Sequence, residues 1–162
     1  MEIQPVVHST FVLERTYPTA ADRVFAAFAD PTKKRRWFAE GQSHTLEAYA
    51  LDFRTGGQEH YTSRFKEGTP VAGRTLTNQN TFHDIVPNRR LVFTSAMAMD
   101  GRCFAISIGT VELAPAKLDP ADGTTLTLTF QSAFLEGADG PAMREAGWRT
   151  LLDKLATELS SQ

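Results

Sequence analysis

Apolar residues recur at every second position from Ser43 to Phe134, whereas the segments before and after that stretch carry helical spacings of three and four. This change of period divides the chain into a β-rich middle with helical segments on both sides. Before the first helical segment, His8–Tyr17 is rich in β-branched and aromatic residues and is expected as a strand that Pro18 stops. Thr19 is placed to cap a short helix, with Asp22 three residues on, and Val24, Phe25 and Phe28 give that helix one apolar stripe. Asp30-Pro31 restarts a second short helix, because proline suits a first helical position. Its last turn carries Lys33 to Arg36, followed by Trp37 and Phe38, and Gly41 ends it.

Six further strands are expected at His44–Leu51, Gly57–Phe65, Arg74–Val86, Arg90–Ala98, Arg102–Leu113 and Thr124–Phe134. Turn residues separate them: Thr55-Gly56-Gly57, Glu67-Gly68, Pro87-Asn88, Asp100-Gly101 and Asp122-Gly123. A two-residue type I′ turn at Asp100-Gly101 would set Met97 opposite Phe104, Ser95 opposite Ile106 and Phe93 opposite Ile108, all on one face. Beyond Ile108 the apolar parity slips to Val111 and Leu113, and a bulge or bend is expected at Gly109. In the last strand Leu126, Leu128 and Phe130 share one side and threonines the other. Met143, Gly147, Leu151, Leu155 and Leu159, flanked by Trp148 and Leu152, then mark an amphipathic helix of about five turns. Its apolar side must lie on the sheet, the one large apolar face the chain offers.

Several of these segments, in this order, resemble a known family. They are Phe11-to-Pro18, Val24-Phe25, Trp37-Phe38, Asp52-Phe53-Arg54-x-Gly56-Gly57, Phe82-to-Pro87 followed by Arg90-Leu91-Val92-Phe93, Gly123-to-Thr127, and Gly147-Trp148-x-x-Leu151-Leu152. They are similar to activator of heat-shock chaperone ATPase homologue-like proteins, part of the START or SRPBCC superfamily that also holds polyketide cyclases. The resemblance implies an α+β helix-grip fold. In it a seven-stranded curved antiparallel sheet surrounds a long C-terminal helix, and two short helices follow the first strand. It implies one START-like domain over residues 8–160 after an N-terminal tail of residues 1–7, and a cavity for an apolar or amphipathic small molecule. It also admits a homodimer and a chaperone partner. Relatives often carry Glu or His where Phe130 stands, and the aromatic residue here shifts the expectation from two-residue acid–base catalysis toward binding.

Length and composition narrow the function classes. At 162 residues, one domain can bury a core, and a formal net charge of −2 leaves no basic footprint for nucleic acid. The single cysteine, Cys103, excludes an internal disulfide framework, and it lies opposite in parity to Phe104 without an activating base nearby. No apolar run approaches the roughly 18 residues of a membrane span, and the start MEIQPVVHST lacks the features of a secretory signal. A cytoplasmic protein is the resulting expectation.

Candidate chemistry centres on Glu59. It shares strand parity with Tyr61, Ser63 and Phe65; facing a cavity, it would be an ionisable group among aromatics, able to carry a proton or hold a polar handle. Alternatively the strand bends near Gly57, leaving Glu59 solvated or paired with Arg54. His60, His83 and Asp84 share no strand parity suited to a metal, so neither metal nor cofactor is expected, and Asp84 with Arg54 or Arg90 reads as a surface ion pair. The run Lys33 to Arg36 reads as a solvated helix end whose cations offset the helix dipole. Trp37 and Phe38 belong either to a cavity mouth or to the core. Gly147 fits either close packing of Trp148 or a strand, or an open cavity end.

The leading expectation is a binding protein for a hydrophobic small molecule. Trp37, Tyr61, Phe82, Phe93, Met97, Phe104, Phe130 and Trp148 would line its pocket, and Glu59 would supply the polar contact. The alternatives are a cyclase- or dehydratase-like enzyme with Glu59 as acid or base, and a chaperone-partner module.

Overall fold

The computed structural model describes residues 3–119 and 121–161, so the first two residues of the expected tail lie outside the described residues. Strand β1 (Val7–Tyr17) is followed by α1 (Ala21–Ala29) and α2 (Pro31–Lys34), which runs on as one π-helical turn over Arg35–Ala39. Then come β2 (His44–Leu51), β3 (Gln58–Phe65), β4 (Thr75–Val86), β5 (Arg90–Met99), β6 (Arg102–Lys117), β7 (Asp122–Phe134) and α3 (Pro141–Ser160). The seven strands form one antiparallel sheet in the order β1-β7-β6-β5-β4-β3-β2. This is the α+β helix-grip arrangement, with helices on the concave face only.

Local chemistry explains most element ends. The Asp30 carboxylate accepts from Thr32 N at 2.9 Å and Lys33 N at 3.1 Å, and Pro31 takes the first helical position. The cap expected at Thr19 does not form: Ala20 precedes α1 without a side-chain bond, while Thr19 is buried and its carbonyl accepts from Thr124 Oγ1 at 2.6 Å. The helix begins at Ala21, so Ala20 rather than Thr19 takes the cap position.

The Asp100-Gly101 turn has positive φ at both residues, 50° and 83°, as type I′ requires. Met99 and Ala98 accordingly pair with Arg102 and Cys103, but a bulge then intervenes and Met97 faces Ala105, Ser95 faces Ser107 and Phe93 faces Gly109. The expected pairs of Met97 with Phe104, Ser95 with Ile106 and Phe93 with Ile108 are therefore overturned. One extra residue inverts the faces beyond it. Ile106 and Ile108 end up on the outer surface, while Ser107, Gly109, Val111 and Leu113 point inward without any slip at Gly109.

Gly109 has a different role. It lies in a cross-sheet row running Phe82–Phe93–Gly109–Phe130–Phe11. A Cβ added to it would stand 2.3 Å from Phe93 Cζ, so the missing side chain is the space the Phe93 ring occupies. The adjoining row on the same face is polar: Glu59–Asn80–Ser95–Ser107–Ser132. Helix α3 lies over these rows but is rotated from its expected face. Arg144, Trp148, Leu152, Leu155 and Leu159 are buried, whereas Met143 is 66% exposed.

A buried ion pair fastens the helical segment to the sheet. Lys34 Nζ lies 3.0 Å from Glu59 Oε1, with side chains 4% and 1% exposed. Asn80 Nδ2 donates to the same oxygen at 2.9 Å and the Tyr49 hydroxyl donates to Oε2 at 2.7 Å. The Lys34 ammonium also sits 4.4 Å from the centre of the Phe38 ring and within 6 Å of those of Phe28 and Trp37. Arg36 grips Glu158 of α3 with two bonds, at 2.7 and 2.9 Å. The basic run is thus not simply a solvated helix end: two of its four cations are tied to buried carboxylates, Lys34 from the end of α2 over β3 and Arg36 from the π-helical turn beside α3.

Two outcomes follow. Gly109→Ala should cost about 1–3 kcal/mol in urea unfolding through overlap with Phe93, and adding Phe93→Leu should cost less than the two single losses combined; simple additivity would disprove the overlap. Lys34→Met should lose about 3–5 kcal/mol by leaving Glu59 buried and unpaired. Adding Glu59→Gln should then restore more than half of that loss, and a further drop would show that the two groups do not depend on each other.

Candidate functional site

Between the concave face of the sheet and α3 lies a cavity of about 730 Å³. This falls within the roughly 300–1,000 Å³ typical of small-molecule sites. Its apolar wall is aromatic: Phe93 and Phe130 rise from the sheet, Trp148 descends from α3, and Phe38 closes the side nearest the π-helical turn. These rings pack against one another, with Phe130 and Trp148 centred 5.4 Å apart and Phe38 and Trp148 6.1 Å apart. The rim is formed by the exposed residues Glu40 to Ser43 together with Thr150 and Lys154. Lys154 Nζ donates to the Glu40 carbonyl across this mouth, and burial pushes its ammonium below the ordinary lysine range.

The cavity remains because the residues beneath α3 are small. Ser95 belongs to the sheet floor, and Gly147 faces the cavity from the helix with open space where a Cβ would be. Gly147 thus marks an open end rather than a tight contact.

The polar part of the wall has its own order. Ser95 Oγ donates to Asn78 Oδ1 at 2.8 Å, and Asn78 hydrogen-bonds the Tyr61 hydroxyl. Burial pushes the Tyr61 phenol up, with the Asn78 bond and the nearby Arg144 charge acting in the opposite direction. Asn80, having given its amide to Glu59, keeps a buried Oδ1 that no described group bonds. Arg144 comes from the first turn of α3, one helical turn before Trp148. Its guanidinium lies over the Phe104 and Phe134 rings and donates from Nη2 to Asp139 at 2.9 Å. Its Nη1 is buried and, among the described residues, has no partner.

Of the pocket residues expected from sequence, Tyr61, Phe93, Met97, Phe130 and Trp148 stand on the cavity wall. Trp37 does not: it is 1% exposed in the core, with its indole N–H donating to the Ala27 carbonyl at 2.8 Å, and its neighbour Phe38 takes the wall position. Phe82 is core beside Phe53, and Phe104 packs with Phe134 in a separate cluster because of the β6 bulge. Glu59 does point inward, but it lies beneath the wall, paired with Lys34 rather than with Arg54, which bonds Asp52 instead. Its negative charge adds to burial in pushing the Tyr49 phenol above its ordinary range. Away from the cavity, Asp84 pairs with Arg90 at 2.6 Å, and His83 bonds Thr94 on the exposed side.

Asn78, Asn80, Ser95, Arg144 and Lys154 were missed. A signal existed for the asparagines, which alternate with Phe82 and so must share its inward face. The signal for Arg144 was its spacing of four from Trp148.

The comparisons with known proteins agree with this architecture. The family model described as Activator of Hsp90 ATPase homolog 1-like protein matches residues 18–160. No curated protein matches the chain. Among solved structures, a protein of Rhizobium loti is similar at 44% identity and a TM-score of 0.81, covering 96% of this chain and 99% of its own. An uncharacterised protein of Rhizobium leguminosarum is 30% identical with a TM-score of 0.86, covering 98% of each chain. An AHSA1-like protein of Aeromonas hydrophila, at 23% identity and a TM-score of 0.65, covers 94% of this chain and 93% of its own and shares the fold. With fold, motif order and family model in accord over most of its length, the chain belongs to the Activator of Hsp90 ATPase homolog 1-like family, with its START and SRPBCC type of fold.

Proposed function

We propose that this protein binds a hydrophobic or amphipathic small molecule in the cavity between the sheet and α3. The observation that carries the reading is an aromatic wall that the protein's own side chains do not fill, with a few convergent polar groups at its edge. Apolar area removed from water there contributes about 25 cal/mol per Å², less the cost of association. Phe93, Phe130 and Trp148 are already ordered by one another, so little side-chain freedom remains to be lost on binding.

The geometry does not favour a cyclase- or dehydratase-like reaction run by Glu59. Both of its oxygens already accept hydrogen bonds from Lys34, Asn80 and Tyr49, and it is absent from the cavity wall among the described residues. A chaperone-activating role, which the family's name carries, would make no use of the cavity.

Gly147 supplies a test whose two readouts move in opposite directions. Gly147→Leu replaces the helix-weakening residue and should raise stability by up to about 1 kcal/mol, while its side chain enters the cavity. The fluorescent probe N-phenyl-1-naphthylamine should bind the wild-type protein and bind this variant at least tenfold more weakly. A folded wild-type protein that fails to take up the probe, or a variant that binds it equally well, would refute the proposal.

A further inference from the structure

Deepening that reading and resting on it, we infer that the ligand is an organic acid whose carboxylate is held by Arg144. A guanidinium offers its donors as a planar fork, and here only one side of the fork is used. Nη2 is engaged by Asp139, while Nη1 lies in the interior with no partner among the described residues, on a residue 7% exposed that contributes to the cavity wall. A buried charged donor left without an acceptor costs free energy, and a ligand atom that accepts from it recovers that cost. The stacking of Arg144 over Phe104 and Phe134 holds the fork in place before anything binds.

The charges around the cavity select an anion rather than a neutral acceptor. The wall carries two cations, Arg144 and Lys154. Lys154 is bonded to the Glu40 carbonyl, a neutral group, and the Glu40 carboxylate is itself taken by Arg35 at 3.1 Å. Asp139, the one carboxylate bonded to Arg144, lies outside the wall. Asp139 already shares the Arg144 charge, so a carboxylate that reaches the unused side of the fork makes a charge-assisted hydrogen bond on a wall that also carries Lys154. Asn80 Oδ1, the other unpartnered atom belonging to a wall residue, is an acceptor and cannot hold an anion; it suits a hydroxyl or N–H elsewhere on the same ligand. Together with the aromatic wall, these two atoms describe an acid headgroup on an apolar body.

The test compares 1-naphthylacetate with 1-naphthylacetamide, which share ring and size and differ in charge, as competitors of N-phenyl-1-naphthylamine. The readout is the ratio of their affinities within each protein, so a general weakening of the site cancels. The wild-type protein should prefer the acid by about tenfold or more, the range of a charge-assisted hydrogen bond. Arg144→Met, which keeps the aliphatic length, should bring the ratio close to one. Asp139→Asn, at an exposed position, removes the negative charge beside Nη2 and should raise the ratio, which provides the decision should Arg144→Met not fold. A wild-type ratio near one, an acid preference that survives Arg144→Met, or a ratio that Asp139→Asn leaves unchanged or lowers overturns the inference. If the fluorescent probe itself does not bind, the cavity reading falls and this one with it. If the probe binds and neither competitor displaces it with an acid preference, only the assignment to Arg144 is lost.

Discussion

Lys34 and Glu59 meet 3.0 Å apart where almost no water reaches, and that contact joins the helical segment beside the cavity to the sheet. Removing two charges from water costs several kcal/mol for each. The cost is offset here by their mutual attraction, by the Asn80 and Tyr49 bonds that complete the carboxylate, and by three aromatic rings around the ammonium. Such a pair adds little net stability compared with a well-packed apolar substitute, but it tolerates few other arrangements of the chain. It requires the end of α2 to lie over β3. From there the π-helical turn carries Trp37 into the core and Phe38 to the cavity, and Arg36 reaches α3 through Glu158.

The cavity follows from a mismatch of size between the two layers. Interiors normally close to the density of organic crystals. Here the inward positions nearest α3 carry serine and asparagine, and the facing stretch of helix contributes glycine. Short side chains on both surfaces cannot meet across the gap. The long ones, Phe93, Phe130 and Trp148, lean on one another at its edge, with Gly109 leaving room for the first. The resulting space is aromatic on one side and hydrogen-bonding on the other, which is a physical description of an amphipathic binding site.

How these positions were to be read depended on whether the governing interaction was local. Hydrophobic period, turn residues and the order of motifs were legible, and they suffice for the seven strands, the three helices and the helix-grip arrangement. Asp30 and Pro31 open α2, and the Asp100-Gly101 turn forms its I′ conformation, because each is decided within a few residues. Thr19 is not the cap, because α1 begins one residue later, while its carbonyl is held by Thr124 from a strand over a hundred residues away. The wall was half legible for the same reason: the parity of Tyr61, Phe93 and Phe130 is local, whereas the β6 bulge that removes Phe104 from the cavity has no marker in the sequence.

The sequence by itself therefore determined the elements, the family and which residues were apolar enough to build an interior. Tertiary structure alone decided which of those residues border the cavity, that Glu59 is occupied by Lys34, and that Arg144 faces inward with one arm of its fork unengaged. Alternation and helical period say which side of an element a residue takes. They carry no information about the rotation of α3 over the sheet or the shift beyond a bulge, since both are set by the fit of side chains distant in the chain.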